Sequence, residues 1–232
     1  MTAVLPAGAL ARQRASDQPA PGGCRGLITP PYWEDACAHL MARDRVLARL
    51  IPQYPGACLQ SRGDAFTTLA RSVVGQQISV KAAQAVWDRL EALLGACTPS
   101  AVLACRPDAL RAAGLSARKI EYLLDLARHF ADGRIDPAAW HDRDDEAVIR
   151  ELVAIRGIGR WTAEMFLIFH LLRPNVLPLD DVGLIRGISL AYFSGEPVSR
   201  SDAREVAAAW APYRSVATWY IWRSLDPIPV AY

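Results

Sequence analysis

Two short stretches of this chain hold residues whose types and spacing suit chemistry on a phosphate or a sugar. The first, residues 152–163, reads as a helix, a tight Gly157-Ile158-Gly159 hairpin and a second helix. Glycines let the backbone take positive φ and come close to a ligand. Amides after such a hairpin sit at a helix N-terminus, where a phosphate binds without sequence preference. A plain helix–turn–helix corner with glycine caps would look the same in isolation. The second stretch is Leu177-Pro178-Leu179-Asp180-Asp181, which opens another helical run. A carboxylate at a helix N-terminus is held ionised by amides and dipole. Facing a sugar, it can stabilise an oxocarbenium-like transition state, as carboxylates do in glycoside cleavage. Either acid can also serve as an N-cap, and a cap can be catalytic.

Bulk charge is not the means of binding. The 232 residues include 26 Lys+Arg and 24 Asp+Glu, a formal net charge of +2. Any nucleic-acid binding would have to come from a local surface and backbone donors. The lysines are Lys81 and Lys119, and every other basic residue is arginine. Amine chemistry therefore has two candidates. The five cysteines, Cys24, Cys37, Cys58, Cys97 and Cys105, are odd in number and form no C-x-x-C pair. That argues against a disulfide framework, a zinc site or a cysteine-ligated iron–sulfur cluster. His39, His129, His141 and His170 show no ligand spacing. No metal or cofactor is expected. No apolar run approaches the roughly 20 residues that span a bilayer. The start lacks the basic segment of a signal peptide. The expectation is a cytoplasmic protein with no membrane partner.

These residues must be held by helices. Hydrophobic residues make up 52% and charged residues 22%, which suits a buried core and excludes wholesale disorder. Residues 1–29 are rich in Ala, Pro, Gly and Arg without periodicity, and are predicted to be a disordered tail. Order is expected from Pro30-Pro31-Tyr32-Trp33. Over 64–79, Phe66, Leu69, Ala70, Val73 and Val74 recur at three- and four-residue steps behind Asp64, a suitable N-cap. Gln77 falls in phase with that stripe, and an amide on a core-facing phase needs a partner or an opening. Ser79 and Ser116 suit the starts of two further helices, which Gly95 and Gly133 would end. Runs over 147–155, 161–172, 181–193, 201–210 and 213–225 complete an all-α class of roughly ten helices.

The segment Ile155-Arg156-Gly157-Ile158-Gly159-Arg160-Trp161-Thr162-Ala163 resembles the helix-hairpin-helix of the DNA glycosylase superfamily, and most closely its 3-methyladenine DNA glycosylase II branch. Three other segments match that branch in order: Val74-Gly75-Gln76-Gln77-Ile78-Ser79, Leu177-Pro178-Leu179-Asp180-Asp181, and Trp210-Ala211-Pro212-Tyr213-Arg214-Ser215 with Trp219-Tyr220-Ile221-Trp222 after it. The resemblance covers roughly residues 30–228, within one domain over 30–232. It implies the helix-hairpin-helix glycosylase fold, two helical lobes flanking an active-site cleft. Larger bacterial members carry an N-terminal β domain; this chain resembles the short form.

The resemblance also implies roles. Asp181, second of the acid pair and five residues before Arg186, takes the catalytic position. Trp161, Trp222 and Met165 line the base pocket, with Met165 standing where relatives carry an aromatic. An indole face attracts a cationic alkylated purine. Gly157, Gly159, Arg160, Thr162, Gln76 and Gln77 contact DNA, with Gln77 as the wedge that fills the stack when the nucleotide flips out. Strand-cutting members place a lysine nucleophile just after the hairpin; here that residue is Trp161. The implied activity is monofunctional hydrolysis of the N-glycosidic bond of alkylated purines in double-stranded DNA. The implied enzyme is a monomer that leaves an abasic site. Two rivals are a non-catalytic DNA-binding module of the same motif and a glycosylase for other damaged or mispaired purines.

Overall fold

Caps cut the chain into short helices. The computed structural model describes residues 30–56, 58–61 and 64–225. The predicted tail, 1–29, lies outside them, as do 226–232. The N-terminal part holds α1 (Trp33–Arg43) and α2 (Arg45–Leu50). The middle holds α3 (Ala65–Gly75), α4 (Val80–Leu94), α5 (Pro99–Ala104), α6 (Pro107–Ala112), α7 (Ala117–Ala131), α8 (Asp145–Val153) and α9 (Arg160–Phe169). The C-terminal part holds α10 (Val182–Tyr192), α11 (Arg200–Val206) and α12 (Arg214–Leu225). No strand forms among the described residues. Asp64, Ser79 and Ser116 accept backbone N–H bonds as N-caps of α3, α4 and α7. α5 and α6, six residues each, begin on proline, whose φ suits a first helical turn.

Packing divides these helices into two groups. α3, α5 and α6 gather around α7, with α4 against α3, α8 against α9 and α9 touching α3. α1 and α2 instead join α12, and α12 joins α10, which carries α11. The chain's two ends thus build one lobe and its middle the other. Gly187 is what lets α10 and α12 cross closely: a Cβ there would overlap the Ile221 side chain. That crossing carries Trp222 to the N-terminal end of α10.

The end-built lobe has a polar pin. Asp44 is 8% exposed. Its Oδ1 caps α2, accepting from Val46 N at 2.8 Å and Leu47 N at 3.0 Å. Its Oδ2 accepts from the Tyr192 hydroxyl at 2.7 Å and Trp210 Nε1 at 3.0 Å. Trp210 is wholly buried, so its N–H has no water to fall back on. Asp44→Ala should cost about 3 kcal/mol, a lost cap plus stranded donors. A thermal melt should show Tm lower by roughly 6–10 °C; a change within about 1 °C would mean that the pin contributes little.

Candidate active site

The hairpin is seated by its apolar side. Leu152, Ile155 and Ile158 are buried, and Ile155 N and Ile158 N close tight turns onto Leu152 O and Ile155 O. α8 stops at Val153, so the turn spans 154–159. Gly157 takes φ +84, in the left-handed region. The sequence suggested that a glycine is needed here for a phosphate. The structure supplies an internal reason: a Cβ at Gly157 would overlap the Tyr122 ring. Gly159, by contrast, has ordinary φ and nothing within 4 Å of a would-be Cβ. It begins α9 with no side-chain cap, whereas Asp144 and Asp181 cap α8 and α10. The first-turn amides of α9 therefore have no side chain folded over them, which is the geometry an anion needs.

Asp181 is where the two lobes meet. Its Oδ1 accepts from Leu184 N at 2.6 Å, the N-cap bond of α10. The same oxygen accepts from Trp222 Nε1 at 2.8 Å. Its Oδ2 accepts from Trp161 Nε1 at 2.9 Å. Trp161 comes from the first turn of α9 and Trp222 from α12, so one carboxylate is gripped by indoles from opposite lobes. Trp161 is 37% exposed, leaving ring surface in solvent beside the carboxylate. Asp180 points elsewhere, to Arg200 Nη2 at 2.6 Å. The two neighbouring acids thus have different partners, Asp181 the indoles and Asp180 a surface arginine.

Five predicted site residues sit differently from what the sequence implied. Gln77 is not on the helix stripe: α3 ends at Gly75, and Gln77 is exposed at φ +59. Gln76 turns inward, Nε2 donating to Gly157 O at 2.8 Å. Arg160 is no free cation. Its guanidinium meets Glu146 of α8 at 2.5 Å and Glu164 of α9 at 3.0 Å. Those carboxylates raise its pKa still further, and the Arg160 bond holds Glu146 below its ordinary value. Thr162 is 8% exposed and lies on the buried side of α9. Met165 is buried in the core, one turn after Trp161; the aromatic that stands by Trp222 is Phe169, stacked at 5.8 Å and 13°.

Several supporting residues escaped the sequence. Phe169 carried a signal, lying eight residues after Trp161 on the same helix. Gly183 carried none: a Cβ there would sit 3.0 Å from Asp181 Oδ1 and 3.5 Å from the Trp222 ring. Glu164 is buried, with Oε1 on Arg160 and Oε2 unpartnered, and burial pushes its carboxyl above the ordinary value. Among the described residues no group of three or more His, Cys, Asp or Glu is placed to hold a metal ion.

A family described as "HhH-GPD superfamily base excision DNA repair protein" matches residues 70–212. DNA-3-methyladenine glycosylase 1 of Schizosaccharomyces pombe is 31% identical over 182 residues, covering 77% of this chain and 80% of its own. A crystal structure of DNA-3-methyladenine glycosidase from Bacillus halodurans superposes with a TM-score of 0.77 and 38% identity, over 82% of this chain and 89% of that one. The Schizosaccharomyces pombe enzyme in complex with abasic DNA superposes at 0.72 with 30% identity, over 84% and 100%.

Proposed function

The chain belongs to the HhH-GPD superfamily of base excision DNA repair proteins, and from that premise we propose what each part of its site does. The protein is a DNA-3-methyladenine glycosylase: it hydrolyses the N-glycosidic bond of alkylated purines in duplex DNA and leaves an abasic site. The observation that carries the assignment of roles is the Asp181 carboxylate, held by Trp161 and Trp222 at the start of α10.

In this reading the uncapped start of α9, opened by Gly159, receives a backbone phosphate. Gln77, exposed at its turn, enters the stack as the nucleotide leaves it. The cationic purine reaches the exposed Trp161 indole. As the C1′–N bond breaks, its electron pair leaves with the base, which departs neutral. Positive charge grows on the sugar, and Asp181 stabilises it. Water then adds to C1′ and loses a proton. The bond broken is already weakened by the base's charge, so one carboxylate suffices. The same reading has a monomer acting in the cytoplasm on chromosomal DNA. Among the described residues no helix is long and apolar enough to cross a membrane.

Incubation with methylated duplex DNA, with free bases separated by chromatography, tests the activity directly. 3-Methyladenine and 7-methylguanine should appear; their absence beside a folded, DNA-binding protein would favour a non-catalytic module.

No strand cleavage should accompany release. Of the two lysines, Lys81 is exposed on α4. Lys119 lies on α7, the helix whose Tyr122 packs at Gly157, and its Nζ donates to Val74 O at 2.7 Å. Burial lowers its pKa, so it is the amine to check. Borohydride added during turnover should trap no protein–DNA adduct. An adduct lost on Lys119→Ala would replace hydrolysis by amine attack.

A further inference from the structure

The hairpin, the 76–79 loop and α7 meet at one node. α7 presents three side chains at successive three-residue steps. Lys119 Nζ holds the last turn of α3 through Val74 O. Tyr122 fills the space that Gly157 leaves. Asp125 Oδ2 accepts from Arg156 N at 2.9 Å. One helix thus fastens the wedge loop's approach on one side and the hairpin turn on the other. Gln76 closes the figure. It is half-buried, and its Nε2 donates to Gly157 O at 2.8 Å across 81 residues of sequence. Gln77, next in the chain, is exposed at positive φ.

We propose that Gln76 is a positioning residue that locks the wedge to the hairpin, so that gripping the backbone and inserting Gln77 occur at one fixed register. The proposal rests on the reading of Gln77 as the wedge and of the α9 start as the phosphate grip. A filler must enter the gap while the flanking phosphate is held, and a loop displaced by about 1 Å can lose up to about a hundredfold in rate. The lock is a single neutral hydrogen bond, worth about 1 kcal/mol net. Removing it frees the loop without unfolding the protein.

Single-turnover excision of 7-methylguanine tests this with the base either paired with cytosine or placed in a one-base bulge. Gln76→Ala and Gln76→Glu should slow excision from the paired site about tenfold. From the bulge, where little stacking is left to break, they should slow it less than about twofold. Affinity for undamaged duplex should match the parent, and Tm should fall by no more than about 2–4 °C, the share of one hydrogen bond. The Gln76→Glu rate, taken relative to the parent at each pH, should recover as pH falls and the carboxylic acid regains a donor. Equal slowing on both substrates, weaker binding to undamaged duplex, or a Gln76→Glu ratio flat with pH would each overturn the proposal. Failure of the parent to release base even from the bulge would instead strike the proposed function, and Asp181→Asn should be slow on both substrates in either case.

Discussion

Asparagine in place of Asp181 should lower base release by about 10²–10³-fold, with duplex affinity within about twofold of the parent. Asparagine caps a helix about as well as aspartate, so Leu184 N keeps an acceptor and the fold is undisturbed. What is lost is the charge, which matters where the sugar becomes cationic. An amide also has one oxygen for two indoles. With its oxygen on Leu184 N and Trp222 Nε1, its NH₂ faces Trp161 Nε1, donor against donor. Trp161 should shift, and a change in tryptophan fluorescence without a change in Tm would report it. Asp180→Asn should alter the rate less than about twofold. That carboxylate is spent on Arg200 at the surface, where such a pair contributes little. If the Asp180 variant is the inactive one, the catalytic register is wrong by one residue.

Local chemistry was legible in the sequence; the partners that redirect it were not. Ser79 and Asp64 announce their helices because a cap acts within three residues. An acid pair at a helix start could be read locally, and the family resemblance chose Asp181 from it. That indoles 20 residues before and 41 residues after it share its two oxygens is a product of tertiary packing, set by the α10–α12 crossing at Gly187. Arg160 has the right type for a phosphate ligand, yet Glu146, 14 residues earlier, takes its guanidinium. Gln77 was misplaced for a simpler reason. The apolar stripe continues in phase through it, but Gly75 ends α3 and Ser79 already caps α4. Helical phase does not survive between two caps so close together.

Valine at position 157 should be the most damaging single change to the hairpin. The position sits at φ +84, which costs an L-residue about 1–2 kcal/mol before any contact is considered. The Cβ then falls on the Tyr122 ring, and forced overpacking adds about 1–3 kcal/mol. A loss of roughly 4 kcal/mol should lower Tm by about 10 °C. Because the α9 amides move with the turn, affinity should fall for damaged and undamaged duplexes alike. A loss confined to damaged DNA would contradict a backbone-gripping role. Tyr122→Ala in the same chain should recover the packing part and leave the φ part, a non-additive pair. Gly159→Ala separates folding from binding. Its φ is ordinary and its Cβ would meet nothing within 4 Å, so stability should change by less than about 0.5 kcal/mol. The only thing left for that methyl group to obstruct is an approaching phosphate. Weakened duplex binding at full stability would mark the place where DNA reaches the backbone, and unchanged binding would move the grip away from the start of α9.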